Sequence, residues 1–161
     1  MDKIWKRAFF NEHKKAQQQI VILENEYGDF NPKWTEPEAL TVRLGTGPRA
    51  ARDAMMKNLG VYKIIYGPNM IVMYIGQGVV SQRKSAHKAI FNNEGKVIVH
   101  GGGTRTDSPV ARKMFDYDPN LDNWLHQYCL IDNKELCAAY ELELINEMSP
   151  EFNAQGMAGK G

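Results

Sequence analysis

Apolar positions return every three or four residues between 3 and 27. Ile4, Ala8, Phe9, Ala16, Ile20, Leu23 and Tyr27 share one side, with Lys6, Arg7, Lys14 and Lys15 between them. That spacing predicts an amphipathic helix. Gly28, Asn31, Pro32 and Pro37 then punctuate a loop over 28–37. A short strand is read at 39–44, and Pro48 suits the first turn of a helix reaching Met56. The pattern then becomes that of a β-hairpin. Residues 61–66 are β-branched and aromatic, Gly67-Pro68-Asn69 turns, and residues 70–75 return. Residues 81–91 read as a helix with Ser81 at its N-cap. Residues 95–123, with Gly101-Gly102-Gly103, read as an irregular insertion long enough to have a task of its own. A third strand follows at 124–131 and a last helix at 134–148. The expected fold is therefore α+β, a small, mainly antiparallel three-stranded sheet flanked by helices, with an N-terminal helical extension.

Composition narrows the class. The chain has 161 residues, 43% hydrophobic and 24% charged, which suits one globular domain and not a disordered chain. No apolar run approaches the roughly 20 residues that span a bilayer. The start, Met1-Asp2-Lys3, has no apolar stretch like that of a signal peptide. The expected setting is the cytoplasm, without membrane contact. Cys129 and Cys137 form no CxxC pair and the four histidines are scattered, so neither a zinc site nor a disulfide framework is expected. The net charge of +1 is unevenly distributed. Residues 58–113 carry eight basic and two acidic groups; residues 114–161 carry two basic and nine acidic. A basic middle suits a polyanion, and a carboxylate-rich end suits a metal, although mutual attraction of the two blocks is the simpler use of such charge.

Three features bear on chemistry. On the last helix Leu136, Cys137, Tyr140, Leu144, Ile145 and Met148 fill one arc, and Glu141 falls inside it. A carboxylate within an apolar stripe is costly unless it is paired or holds a cation. Arg83 and His87 are four apart and share a helix face, where the guanidinium suits a phosphate and the imidazole a proton. Tyr62 and Tyr74 lie on paired strands, and packing is the plain reading of both. His100-Gly101-Gly102-Gly103 is like an esterase oxyanion loop, but no GxSxG accompanies it.

Taken together these residues resemble a known family. Gly60-Val61-Tyr62, followed after eleven residues by Tyr74-Ile75-Gly76, resembles the paired triplets of the GIY-YIG nucleases, with Val in place of Ile. Arg83 and His87 follow on the next helix, then Glu141 and, past Pro150, Asn153, in the family's order. The resemblance covers residues 57–155. It divides the chain into an extension at 1–56 for dimerisation or DNA contact, a nuclease domain at 57–155 with its insertion at 95–123, and a flexible tail at 156–161. It implies a metal-dependent endonuclease acting on double-stranded DNA, with Tyr62, Tyr74, Arg83, His87, Glu141 and Asn153 in the site. Glu141 would hold Mg²⁺ or Mn²⁺. Arg43, Arg49, Arg52, Lys84, Lys88, Arg105, Arg112 and Lys113 are the expected DNA contacts. A type II restriction-like homodimer or higher oligomer is the expected form, with its interface in the N-terminal helix. A homing, degradative or nicking phage-type nuclease and an inactive DNA-binding module are the alternatives. The Lys that many members place after YIG is absent, for Gln77-Gly78 stands there, and Lys63 or Lys84 is the candidate replacement.

Overall fold

The computed structural model describes residues 3–41, 59–92, 94 and 108–153. Helix α1 spans Lys3–Tyr27, strand β1 Glu38–Ala39, β2 Leu59–Tyr66, β3 Ile71–Val79 and α2 Val80–Asn92. They are followed by α3 Pro109–Tyr117, β4 Trp124–Leu130 and α4 Lys134–Met148. The α+β class agrees with the sequence, but the sheet has four strands in the order β1-β4-β2-β3, all pairs antiparallel. The added strand is β1, two residues long, where Glu38 and Ala39 pair with His126 and Leu125. Thr35 extends this edge, since its backbone amide donates to the Tyr128 carbonyl and its hydroxyl accepts from the Tyr128 amide. Of the strand expected at 39–44, Ala39 alone is strand among the described residues, and Leu40 and Thr41 turn instead. Positions 42–58, which include the helix expected after Pro48, lie outside the described residues.

A period of two explains both faces of the sheet except at Met73, which the bulge opposite Ile64 and Ile65 turns to the same face as Tyr74. Tyr62, Ile64, Met73, Trp124 and Tyr128 join Val80 of α2, Val110 and Met114 of α3, Leu40 and Phe152 in one core. Val61, Ile75 and Cys129 form the other with Ile131 and with Cys137, Leu144 and Ile145 of α4. Helix α1 lies outside α4 and buries Ala16 and Ile20 against Ala139. Ala16 and Ile20 of the apolar face of α1 are thus packed within their own chain. Val21 and Ile22 are left exposed on the opposite side.

Two local readings need correction. Part of the segment read as an irregular insertion is helix α3. Ser108 caps it by accepting from the Ala111 amide at 3.0 Å, and Pro109 occupies its first turn. Met148, placed in the buried arc of the last helix, is exposed. It is the last residue of the helix, which Ser149 ends in the left-handed region, at φ 45°.

Candidate active site

Tyr62 and Tyr74 come from the central hairpin. Tyr62 is paired with Gly76, and Ile64 with Tyr74, so both tyrosines face α2. Tyr62 crosses over Gly76 so closely that a Cβ there would overlap its hydroxyl. At Gly78, where φ is +140°, a Cβ would lie 2.6 Å from Arg83 Nε. The two glycines that close β3 therefore make room for a tyrosine and an arginine of the site. Tyr62 and Tyr74 share a side-chain hydrogen bond. Around Tyr62 stand Tyr74, His87 and His126, with ring centroids at 6.2, 5.2 and 5.3 Å.

Tyr62, Tyr74 and His87 open onto a cavity of about 390 Å³, whose lining does not include His126. Its walls include Tyr62, Tyr74, Arg83 and His87 on one side, and Ser108, Val110 and Lys113 of α3 on the other. Phe152 and Asn153 complete it. Asn153 does no visible chemistry. Its Oδ1 accepts from the Ile75 amide at 2.8 Å and its Nδ2 donates to the Ile75 carbonyl at 2.9 Å. One side-chain amide thus occupies the free edge of β3 as a neighbouring strand would.

Glu141 is half-buried on α4, which packs along β2 and β3. It is not part of the cavity wall, but its charge is felt by Tyr62, Tyr74 and Arg83. Burial pushes its carboxyl up to about 7, and the Arg83 guanidinium only partly opposes that. Burial also drives the Tyr62 hydroxyl far above the ordinary tyrosine range; Tyr74 and Glu141 add to this and Arg83 opposes it. His87 is held down to about 3 by burial and by Arg83. At neutral pH Tyr62 therefore keeps its proton and His87 is uncharged.

The described residues include no group of three or more His, Cys, Asp or Glu able to hold a metal. A cage built wholly of protein ligands is thus absent among them. Glu141 alone fits a different kind of site: Mg²⁺ commonly takes one or two carboxylates and fills its shell with waters and phosphate oxygens. A buried carboxylate held near pH 7, without a full counter-charge, is suited to such a cation.

The cations expected to meet DNA divide into three groups. Arg43, Arg49, Arg52 and Arg105 lie outside the described residues. Lys88, Arg112 and Lys113 are at or near the surface, with Lys113 Nζ donating to the Phe152 carbonyl at 3.1 Å. Lys84 is a correction. It is 4% exposed and its ammonium lies 3.7 Å from the Glu38 carboxylate, so it is turned inward and not toward a duplex. Lys63 and Lys84, the lysines considered for a charge after Tyr74-Ile75-Gly76, do not line the cavity. Lys63 sits over the Trp34 ring at 4.1 Å on the opposite face of the sheet, and Lys84 is held by Glu38.

The sequence reading missed His126. It is 1% exposed, stacked on Tyr62 at an interplanar angle of 20°, and neither of its ring nitrogens has a partner. Its burial was legible, because it alternates in phase with Trp124 and Tyr128 on β4. Its place beside Tyr62 depended on the strand order. Compared with known proteins, the chain matches no family model, no curated protein and no solved structure.

Proposed function

We propose that this protein is a divalent-metal-dependent endodeoxyribonuclease that hydrolyses phosphodiester bonds of double-stranded DNA, in the manner of a type II restriction enzyme. One observation carries the reading. Tyr62, Tyr74, Arg83 and His87 converge on a single cavity, with a half-buried, weakly countered Glu141 beside them. That set has the parts phosphodiester hydrolysis needs, and the resemblance to GIY-YIG nucleases names the same residues.

The roles follow from charge state. Arg83 neutralises the scissile phosphate as its charge develops. Ionised Glu141 would hold Mg²⁺ or Mn²⁺, and the bound ion would supply polarisation of the phosphate and stabilisation of the leaving oxygen. Tyr62, keeping its proton, aims the attacking water by hydrogen bonding, and Tyr74 steadies Tyr62. Uncharged His87 accepts the water's proton, and the incoming phosphate raises its basicity. The resemblance leaves the base between Tyr62 and His87. Burial keeps Tyr62 protonated at neutral pH, and burial with Arg83 holds the His87 ring down to about 3, so His87 takes the proton only where the phosphate offsets the Arg83 charge. A cut through both strands calls for two such sites, hence a homodimer or higher oligomer.

Incubation of supercoiled plasmid with Mg²⁺ or EDTA, beside Glu141→Ala and Arg83→Ala, tests the reading. The expected result is metal-dependent cutting into discrete fragments, reduced about 100-fold or more in each variant with folding unchanged. Glu141→Ala cutting at the wild-type rate removes the metal assignment. Salt-sensitive DNA binding without cutting by the folded protein establishes the inactive binding module instead.

A further inference from the structure

Beneath Tyr62 the interior holds polar atoms that the proposed chemistry leaves unused. His87 Nδ1 and both nitrogens of His126 are buried without a hydrogen-bond partner, and Lys84 Nζ near them has the Glu38 carboxylate at 3.7 Å. Native interiors pair such atoms almost without exception, because an unpaired buried polar atom destabilises the fold. Here they cluster at one place. The rings of His87 and His126 are 6.3 Å apart, and both flank Tyr62.

We propose that His126 is a positioning residue for His87: its ring takes the hydrogen bond of the His87 Nδ1–H through one bridging water, and so presents the unprotonated Nε2 of His87 to the cavity.

The distance favours a bridge over a direct bond. Two imidazoles bonded nitrogen to nitrogen have centroids roughly 5 Å apart, and a water between them extends the reach to about 8 Å. The observed 6.3 Å lies between these limits. The surroundings keep His126 an acceptor. Tyr62 of β2, Tyr128 of β4 and His87 of α2 face it, and Lys84 acts on it from the same helix. Burial first, then His87 and Lys84, hold its ring well below the ordinary histidine range, so a lone pair remains available. Glu38 of β1 balances the Lys84 charge, and Arg83 bears on His87. Which nitrogen of a histidine carries the proton is decided by the bond the other makes. Without an acceptor behind it, His87 has no reason to keep Nδ1 protonated and Nε2 free.

The kinetic arm of the test rests on the nuclease reading; the spectroscopic arm does not. His126→Phe keeps a ring against Tyr62 and removes both nitrogens. The expected variant is as thermally stable as the wild type or more so. Its kcat falls about tenfold or more, with KM nearly unchanged and an altered pH profile. Nitrogen-15 NMR is expected to show His87 of the wild type as the Nδ1–H form, and the variant losing that preference. An Nε2–H form in the wild type, or an unchanged tautomer in His126→Phe, overturns the proposal. So does wild-type kinetics in the variant. If the wild type does not cut, the nuclease reading fails and the NMR result still decides the role of His126. If His126→Phe does not fold, the wild-type tautomer alone decides: Nδ1–H sustains the proposal and Nε2–H ends it.

Discussion

Glu141 shows how one residue links stability to function. A carboxyl with an ordinary value of 4.5, raised to about 7 in the fold, holds its proton more tightly when folded. Ionising it therefore costs stability. The penalty is absent below pH 4.5, grows between 4.5 and 7, and is complete above 7. Its size is about 3 kcal/mol, from roughly 1.4 kcal/mol per tenfold change in proton affinity. Glu141→Gln is accordingly expected to match the wild type near pH 4 and to exceed it by up to about 3 kcal/mol at pH 8, as read by urea denaturation. A cation bound at Glu141 removes the penalty, so Mg²⁺ should raise the melting temperature of the wild type and leave that of Glu141→Gln unmoved. Equal Mg²⁺ shifts in both proteins would place the metal elsewhere. Glu141 was visible in the sequence as a charge inside an apolar arc. The physical reason it stood out there is the reason it titrates near 7: the helix buries that face against the sheet, and only Arg83 partly answers it.

At the scale of elements, the long helices and the hairpin were legible because their apolar periods are regular. Lys3–Tyr27, Val80–Asn92 and Lys134–Met148 lie within a residue or so of the spacing's own limits. Less was legible where the signal came from elsewhere in the chain. Two residues at Glu38–Ala39 carry no period, and they are a strand only because β4 offers an edge. Lys84 reads as a surface cation on α2, but Glu38 turns it inward. Helix α3 hid in a polar segment whose start rests on the Ser108 cap. Asn153, just past the last helix, gave no sign in the sequence of the partner that it meets. Both of its bonds go to Ile75 on the edge strand that carries Tyr74 and Gly76. Asn153→Ala leaves a buried amide and carbonyl unanswered, which should cost about 2–4 kcal/mol. If cleavage depends on the line of β3, activity should fall further than the loss of folded protein explains, with faster amide exchange at Ile75. Normal exchange there would mean that another group closes the edge.

For the whole molecule, the segregated charge makes a claim about binding that can be separated from catalysis. Each phosphate neutralised by a surface cation releases counterions, so the slope of log affinity against log salt counts contacts, at about 0.9 each on duplex DNA. The fold decides which lysines can contribute. Lys84 and Lys88 sit one turn apart on α2 and are indistinguishable by composition, yet Lys84 is 4% exposed and paired with Glu38, whereas Lys88 is only half-buried. Lys88→Ala should therefore lower the slope by about 1 and weaken binding across all DNA sequences. Lys84→Met should leave the slope unchanged, because no phosphate reaches that ammonium and the Glu38 side chain left behind is 40% exposed and free to hydrate. Filter binding of Glu141→Gln to one duplex in Ca²⁺, from 50 to 300 mM salt, would read both variants without interference from cutting. Equal losses of slope in the two would show that α2 turns when DNA binds and brings Lys84 out. A loss in Lys88→Ala alone would show that the duplex is met by the helix as it stands, with the Lys84–Glu38 pair serving to fasten the N-terminal strand to the sheet.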